Sequence, residues 1–420
     1  GPCLLGDNDT WPSRNEFGWN SKASIIYIDQ PCGVGYSYGD ASDEDRNERG
    51  VAKHVGHFLM DFFAAHPGLR RRDLYIIGES YGGHYVPAVA AAVMHRLPLK
   101  GIGIGNGLTV PLVQYQYYPD LAYTYAKEVL SEPIIPYPVY LLQKAAWPHC
   151  RDHIASCQND TSECQYAQEF CNGAMLAPYQ ITGKNPYDIR LQCEKKPLCY
   201  DFSNVDAFMN DEKVKCALGI PEGITWKDCN FTVNAMFSGD WMKDFDRPVK
   251  QLLRSNVKVL VYAGDMDFIC NWIGNKAWTM DLEWHGKQEF NAADDVKVSL
   301  RSDPNTPVGE VRTARDFAFF RLYDAGHLSP MDQPEVTLEM VKWLTQSAGP
   351  TVDTDADADA AGRSGDESGL VFEPSFTDAE GIHRYHRHHR HRTRHRRNRH
   401  HGRHPEMMAP STVNGEVLTH

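Results

Sequence analysis

Short apolar runs recur along the chain, each closed by Gly, Asn, Asp or Pro. Ser24–Asp29 (Ser-Ile-Ile-Tyr-Ile-Asp), ended by Gln30-Pro31, reads as a buried strand. Leu74–Ile77, Ile102–Gly105, Val257–Tyr262 and Phe317–Leu322 read the same way. Strands covered on both faces need such unbroken apolar runs between turn formers. A helical periodicity runs from Asn47 to Ala65, and an Ala-rich one from Tyr81 to His95. Strand, helix and strand in alternation predict an α/β fold: a mostly parallel central sheet with helices on both faces. From about Pro119 to Asp240 the strand pattern fades while Cys and aromatic residues gather. That stretch is expected to be an inserted cap or lid. The expected order is core 1–118, cap 119–240, core 241–346 and tail 347–420.

The tail differs in kind. Thr351–Ala361 is an Asp-Ala-Thr tract, and His383–His404 holds nine Arg and nine His. Neither buries enough apolar surface to offset the entropy of ordering, so disorder is expected. The net charge is −12, and the tail from Thr351 has 10 Arg against 11 acidic residues, so the body carries −11. A body this acidic is a poor partner for nucleic acid. The Arg/His run suits an anionic surface, and its charge grows as the histidines protonate below about pH 6.5. No apolar run reaches the roughly 18 residues a membrane helix needs. The chain starts at Gly1 with no signal peptide ahead of it, which reads as processing or a cut at the start.

Eleven cysteines change the picture. Cys150, Cys157, Cys164 and Cys171 lie seven apart, with Cys193 and Cys199 soon after. Zinc sites favour tighter C-x2-C pairs, and no His pair at metal spacing sits beside these. Disulfides are therefore expected, and no metal or cofactor. Sequons at Asn8, Asn159 and Asn230 point the same way, to a glycosylated protein of an oxidising compartment, vacuolar, lysosomal or secreted. The odd count leaves at least one thiol free or paired outside the chain.

One motif carries chemistry. Gly78-Glu79-Ser80-Tyr81-Gly82 matches G-x-S-x-G, directly after the strand ending at Ile77 and before an Ala-rich helix. Such a strand–turn–helix lifts a serine hydroxyl above the sheet and sets the next backbone N–H, that of Tyr81, where an oxyanion forms. A serine alcohol needs a base held by a carboxylate. In this architecture the acid and then the His follow later strands. Asp265 and Asp267 both follow Val257–Tyr262, and the pattern does not choose between them. His327, in the Gly-flanked loop after Phe317–Leu322, is the base; His54, His57, His66, His84, His95, His149, His153 and His285 lack that placement.

The chain resembles the serine carboxypeptidases of the carboxypeptidase Y type, an α/β-hydrolase family. The likeness covers roughly residues 1 to 345. It rests on Trp19-Asn20, Ile28-Asp29-Gln30-Pro31 with Gly33–Tyr38, Gly78–Pro87, Gly105–Thr109, Leu176–Tyr179, Asn185–Arg190, Gly264–Asn271 and Gly326–Pro334. It implies a triad of Ser80, Asp267 and His327, so it picks Asp267 over Asp265. It implies a protonated Glu79 that binds the substrate's terminal carboxylate, hence an acidic working pH. It also implies a free Cys270 and Tyr187 lining the specificity pocket, with Leu328 beside them, and pairings Cys150–Cys171, Cys157–Cys164 and Cys193–Cys199. The implied reaction releases C-terminal amino acids from peptides with a free carboxylate through an acyl-enzyme.

Three departures qualify the likeness. The family segment Asn-Gly-Gly-Pro-Gly-Cys-Ser-Ser would precede Gly1-Pro2 and supply a second oxyanion N–H. It is not in this sequence, so a weakly active or inactive chain is expected, with Cys229 left unpaired. Val110 stands where Asp is usual, and the Arg/His tail is no family feature. The rival readings are a catalytically impaired carboxypeptidase-like binding protein or fragment, and an acyltransferase on the same scaffold.

Overall fold

A computed structural model describes residues 1–6, 9, 11–346 and 368–373 of the chain. Near the start, β1 (Cys3–Leu4) pairs antiparallel with β2 (Ser13–Arg14). The main sheet has seven strands in the order β3-β4-β5-β8-β7-β6-β9. These are β3 (Leu74–Glu79), β4 (Leu99–Gly105), β5 (Lys258–Gly264), β6 (Val296–Leu300), β7 (Asp303–Ala314), β8 (Phe317–Leu322) and β9 (Leu370–Phe372). The four strands β3, β4, β5 and β8 are mutually parallel. The β6, β7 and β9 side is antiparallel, so the sheet is mixed rather than parallel almost throughout.

Side-chain alternation along β5 shows why two helical layers are needed. Val259 and Val261 pack with Val86 and Ala90 of α2 (Gly82–Val93) and with Leu252 and Leu253 of the helix Asp246–Arg254. Leu260 and Tyr262 point the other way, onto Val336, Met340 and Trp343 of the helix Pro334–Thr345. The expected Asn47–Ala65 helix is α1 (Glu48–Ala65), and Asn47 caps it by accepting the N–H groups of Arg49 and Gly50.

The region between β4 and β5 is helical and packs with the sheet in one unit, Gly1–Ser375. Its longest helix, Tyr137–Asn159, is joined to the helix Cys164–Cys171 by Cys150–Cys171 and Cys157–Cys164. The seven-residue spacing sets both thiols of each helix on one face, where all four are buried. Closing the 21-residue span of Cys150–Cys171 is worth about 3 kcal/mol in the chain-entropy picture. The third pair is Cys193–Cys199.

Two expectations fail. Ser24–Asp29 is not a strand. Ile26, Tyr27 and Ile28 are 39%, 62% and 38% exposed, because among the described residues no strand pairs with the segment. The tail contains a strand, β9, whose Leu370 is buried against β6 and whose Phe372 ring lies 5.7 Å from Trp343. Three apolar residues amid polar sequence are too few to signal a strand on their own; the open edge of β6 makes one. The Arg/His run His383–His404 lies outside the described residues.

Carboxyls shielded from water set a pH dependence. Glu48 is 3% exposed, and neither carboxyl oxygen has a partner among the described residues. Burial, then the charges of Asp240 and Asp45, push it up to about 9. Burial raises Asp240 to about 6 and Asp244 to about 7. Groups raised on folding stabilise the fold fully below their unfolded values, and that contribution is lost as pH rises through the folded ones. The melting temperature should therefore fall between pH 5 and pH 8. Glu48→Gln should recover part of the loss at pH 8 and little at pH 5; an equal effect at both would contradict the account.

Candidate active site

Ser80 sits between β3 and α2 with φ at +63°, in the left-handed region that a non-Gly residue rarely adopts. Its N–H donates to Gly105 O at 3.0 Å, and its carbonyl accepts from Gly83 N–H and Leu108 N–H, each at 3.0 Å. The turn is thus pinned to the end of β4 as well as to its own helix. A Cβ on Gly83 would lie 2.3 Å from Leu108 O, so the close approach requires glycine there. The backbone N–H of Tyr81 opens α2, where the helix dipole favours a developing negative charge. The Tyr81 ring is held between His84 and Trp241, with centroids 4.4 and 5.0 Å away.

Asp267 and His327 are brought together from the loops after β5 and β8. His327 Nδ1 lies 2.8 Å from Asp267 Oδ2, and both residues are buried. Ile269 N–H donates to Asp267 Oδ1 at 3.0 Å, and Asn106 Nδ2 donates to Oδ2 at 2.9 Å. The Nδ1 bond leaves His327 Nε2 as the nitrogen free to take a proton. Burial works against the charged imidazolium, but the Asp267 charge and hydrogen bond outweigh it and raise His327 above its ordinary value. Asp265 does other work: it accepts from Tyr125 OH and Asp324 N–H, each at 2.9 Å, and pairs with Arg321 at 3.3 Å. That buried network ties the loop after β5 to the loop after β8. Arg321 and Tyr125 carried no signal in sequence, since nothing local marks their meeting.

Glu79 ends β3, and burial pushes its carboxyl up to about 7, with His327 opposing and Asp267 and Asp332 reinforcing the shift. The Tyr187 ring lies 5.1 Å from that of His327, and Tyr187 O accepts the His327 N–H at 2.7 Å. Leu328 follows, half-buried. The Cys270 thiol is buried, and burial raises it well above the ordinary thiol range, which keeps it protonated and unreactive. Donor atoms of Asp267, Cys270 and His327 lie within 4.8 Å of one another. The carboxylate and imidazole already satisfy each other there, so the trio is an acid–base pair beside a thiol rather than an ion cage.

Other sequence-predicted residues spread out. Cys3, Cys32, Cys216 and Cys229 are free alongside Cys270. Asn159 is exposed at a helix end, whereas Asn230 caps a helix and donates Nδ2 to Gly33 O at 2.6 Å. Asn8 lies outside the described residues.

The sequence profile described as serine carboxypeptidase matches residues 1–347. The chain belongs to the serine carboxypeptidase family. It is 41% identical over 359 residues to carboxypeptidase Y homolog A of Aspergillus oryzae, covering 82% of this chain and 64% of that protein. It is 42% identical over 347 residues to the Ajellomyces capsulatus homolog, covering 79% and 61%. The chain thus spans under two thirds of the length of these curated relatives. Among solved structures it is similar to Kex1(Δ)p, a prohormone-processing carboxypeptidase from Saccharomyces cerevisiae. The TM-score is 0.68 at 26% identity, over 81% of this chain and 77% of that one. That likeness supports the α/β-hydrolase fold class expected from the sequence. No helix among the described residues is long and apolar enough to cross a membrane.

In this member of the serine carboxypeptidase family the turn geometry makes a sharp distinction between neighbouring glycines. Gly83→Ala drives a methyl into the Leu108 backbone and should cost about 1–3 kcal/mol. Gly82→Ala meets nothing nearer than Val86 Cγ2 at 3.9 Å and should be tolerated better. Urea midpoints of the two variants check this; a Gly82 variant as unstable as the Gly83 one would refute it.

Proposed function

We propose that the chain carries out serine-type carboxypeptidase chemistry, removing the last residue from peptides with a free C-terminal carboxylate. The observation that carries this reading is the buried Asp267–His327 pair at 2.8 Å, set on the same sheet end as a left-handed Ser80 with a protonatable Glu79 beside it. His327 Nε2 takes the Ser80 proton as Oγ attacks the scissile carbonyl. The Tyr81 N–H receives charge on the tetrahedral oxygen. His327 then gives its proton to the leaving amino acid, and water repeats the sequence on the acyl-enzyme. Glu79, neutral below about 7, donates a hydrogen bond to the substrate carboxylate, which a charged Glu79 would repel. Tyr187, Cys270 and Leu328 wall the space beside His327 for the substrate's side chain.

The same reasoning favours an acidic, oxidising compartment, vacuolar, lysosomal or outside the cell. Three disulfides and several carboxyls raised by burial fit such surroundings. Of the two sequons among the described residues, Asn159 is the one open to glycosylation, since the Asn230 amide is already engaged.

The pH profile tests the reading. Cleavage of an N-blocked dipeptide should give a bell-shaped kcat/KM. His327 must be neutral, which sets the acid limb; Glu79 must be protonated, which sets an alkaline limb near 7. Glu79→Gln keeps a donor at every pH and should flatten the alkaline limb, while loss of the Glu79 charge beside His327 moves the acid limb to lower pH. The C-terminally amidated dipeptide should resist cleavage. Equal hydrolysis of acid and amide, or hydrolysis surviving Ser80→Ala, would overturn the proposal.

A further inference from the structure

Asn106 is fully buried in the turn after β4 and has φ at +41°, a region that Asn tolerates better than most residues. Its neighbours hold the nucleophile turn: Gly105 O accepts the Ser80 N–H, and Leu108 N–H donates to Ser80 O, each at 3.0 Å. Its own N–H donates to Tyr262 O at 2.7 Å, locking the turn to β5.

The amide is wired in one orientation. Oδ1 faces two donors, Gly264 N–H at 3.4 Å and the Ser329 hydroxyl at 2.7 Å. Nδ2 faces two acceptors, Asp267 Oδ2 at 2.9 Å and Gly326 O at 3.5 Å. A backbone N–H cannot accept and a carbonyl cannot donate, so a flipped amide would oppose donor to donor and acceptor to acceptor. The residue therefore touches the loops bearing Asp267 and His327 while its flanking residues hold Ser80.

We infer that Asn106 is the positioning residue of the site: its amide keeps Asp267 aimed at His327 and fixes both against the Ser80 turn. This rests on the function proposed above. Asn106 supplies one of the three hydrogen bonds that the Asp267 carboxylate accepts among the described residues. It also shares the Oδ2 lone pairs with His327, so it moderates the charge the imidazole feels. The titratable groups facing this carboxylate are His327, Glu79, Cys270, Tyr118, Tyr179, Tyr187 and Tyr200. All of these remain in an Asn106 variant, so a change of profile reports the lost amide.

The test is Asn106→Leu in the full chain, read in two ways. Proton NMR follows the low-field signal of the His327 Nδ1 proton against pH. Its midpoint should move up in the variant, since Asp267 then holds the imidazolium more strongly. Kinetically, kcat should fall by about 10²-fold, as a small misplacement of a catalytic pair does, with KM nearly unchanged. Asn106→Asp can donate only when protonated, so its activity relative to the unmutated chain should be higher at pH 4.5 than at pH 7. If the leucine variant fails to fold, Ser329→Ala, which frees one side of the amide, should move the midpoint the same way by less. An unmutated chain without turnover would defeat the functional proposal, and the NMR midpoint would still decide this one. Unchanged midpoints in the folded variants would overturn it.

Discussion

The Asp267 side chain has no exposure to water, and its place is set by hydrogen bonds that arrive from three loops. Burial penalises a carboxylate's charge, and hydrogen bonds from Ile269, Asn106 and His327 compensate. The three donors come from three different loops, so all three bonds form only while β4, β5 and β8 stay in register. That register is parallel and continuous across the three strands. Parallel pairing brings their C-terminal ends to one edge of the sheet, which is why residues far apart in sequence converge there. The Asp265–Arg321 network, with Arg321 stacked 3.8 Å over Trp272, makes the same connection one layer away.

A second constraint is the store of buried carboxyls. Glu48, Asp240, Asp244 and Glu79 all bind protons more tightly in the fold than in the unfolded chain. Acid therefore favours both the fold and the neutral Glu79 that carboxylate recognition needs. Stability and carboxylate binding respond to pH in the same direction, while the need for a neutral His327 in catalysis pulls the other way, since its raised value demands a less acidic medium. The working range lies where these opposed demands overlap.

Much of this was legible in the sequence because it was local. G-x-S-x-G after an apolar run marks its own turn, and chain order pointed to His327. Asp265 and Asp267 were not separable by pattern, since both follow the same strand; the family resemblance favoured Asp267, and the cross-loop bond to His327 is the physical difference between them. The Ser24–Asp29 run misled because apolarity signals burial only where a neighbouring strand completes the ladder. β6, β7 and β9 went unread for the opposite reason: β7 is interrupted by Pro304 and Pro307, and β9 is three residues that gain order by pairing with β6. Asn106 stood in plain view between two glycines, yet its importance lies in contacts more than a hundred residues away.

The central claim is that the fold delivers Ser80 to a base made competent by Asp267. Covalent labelling by a fluorophosphonate, located by peptide mass spectrometry, tests it most directly. The account predicts a single adduct on Ser80, absent in Ser80→Ala and formed orders of magnitude more slowly in His327→Ala. Labelling of another serine, or a rate at Ser80 indifferent to His327, would contradict it.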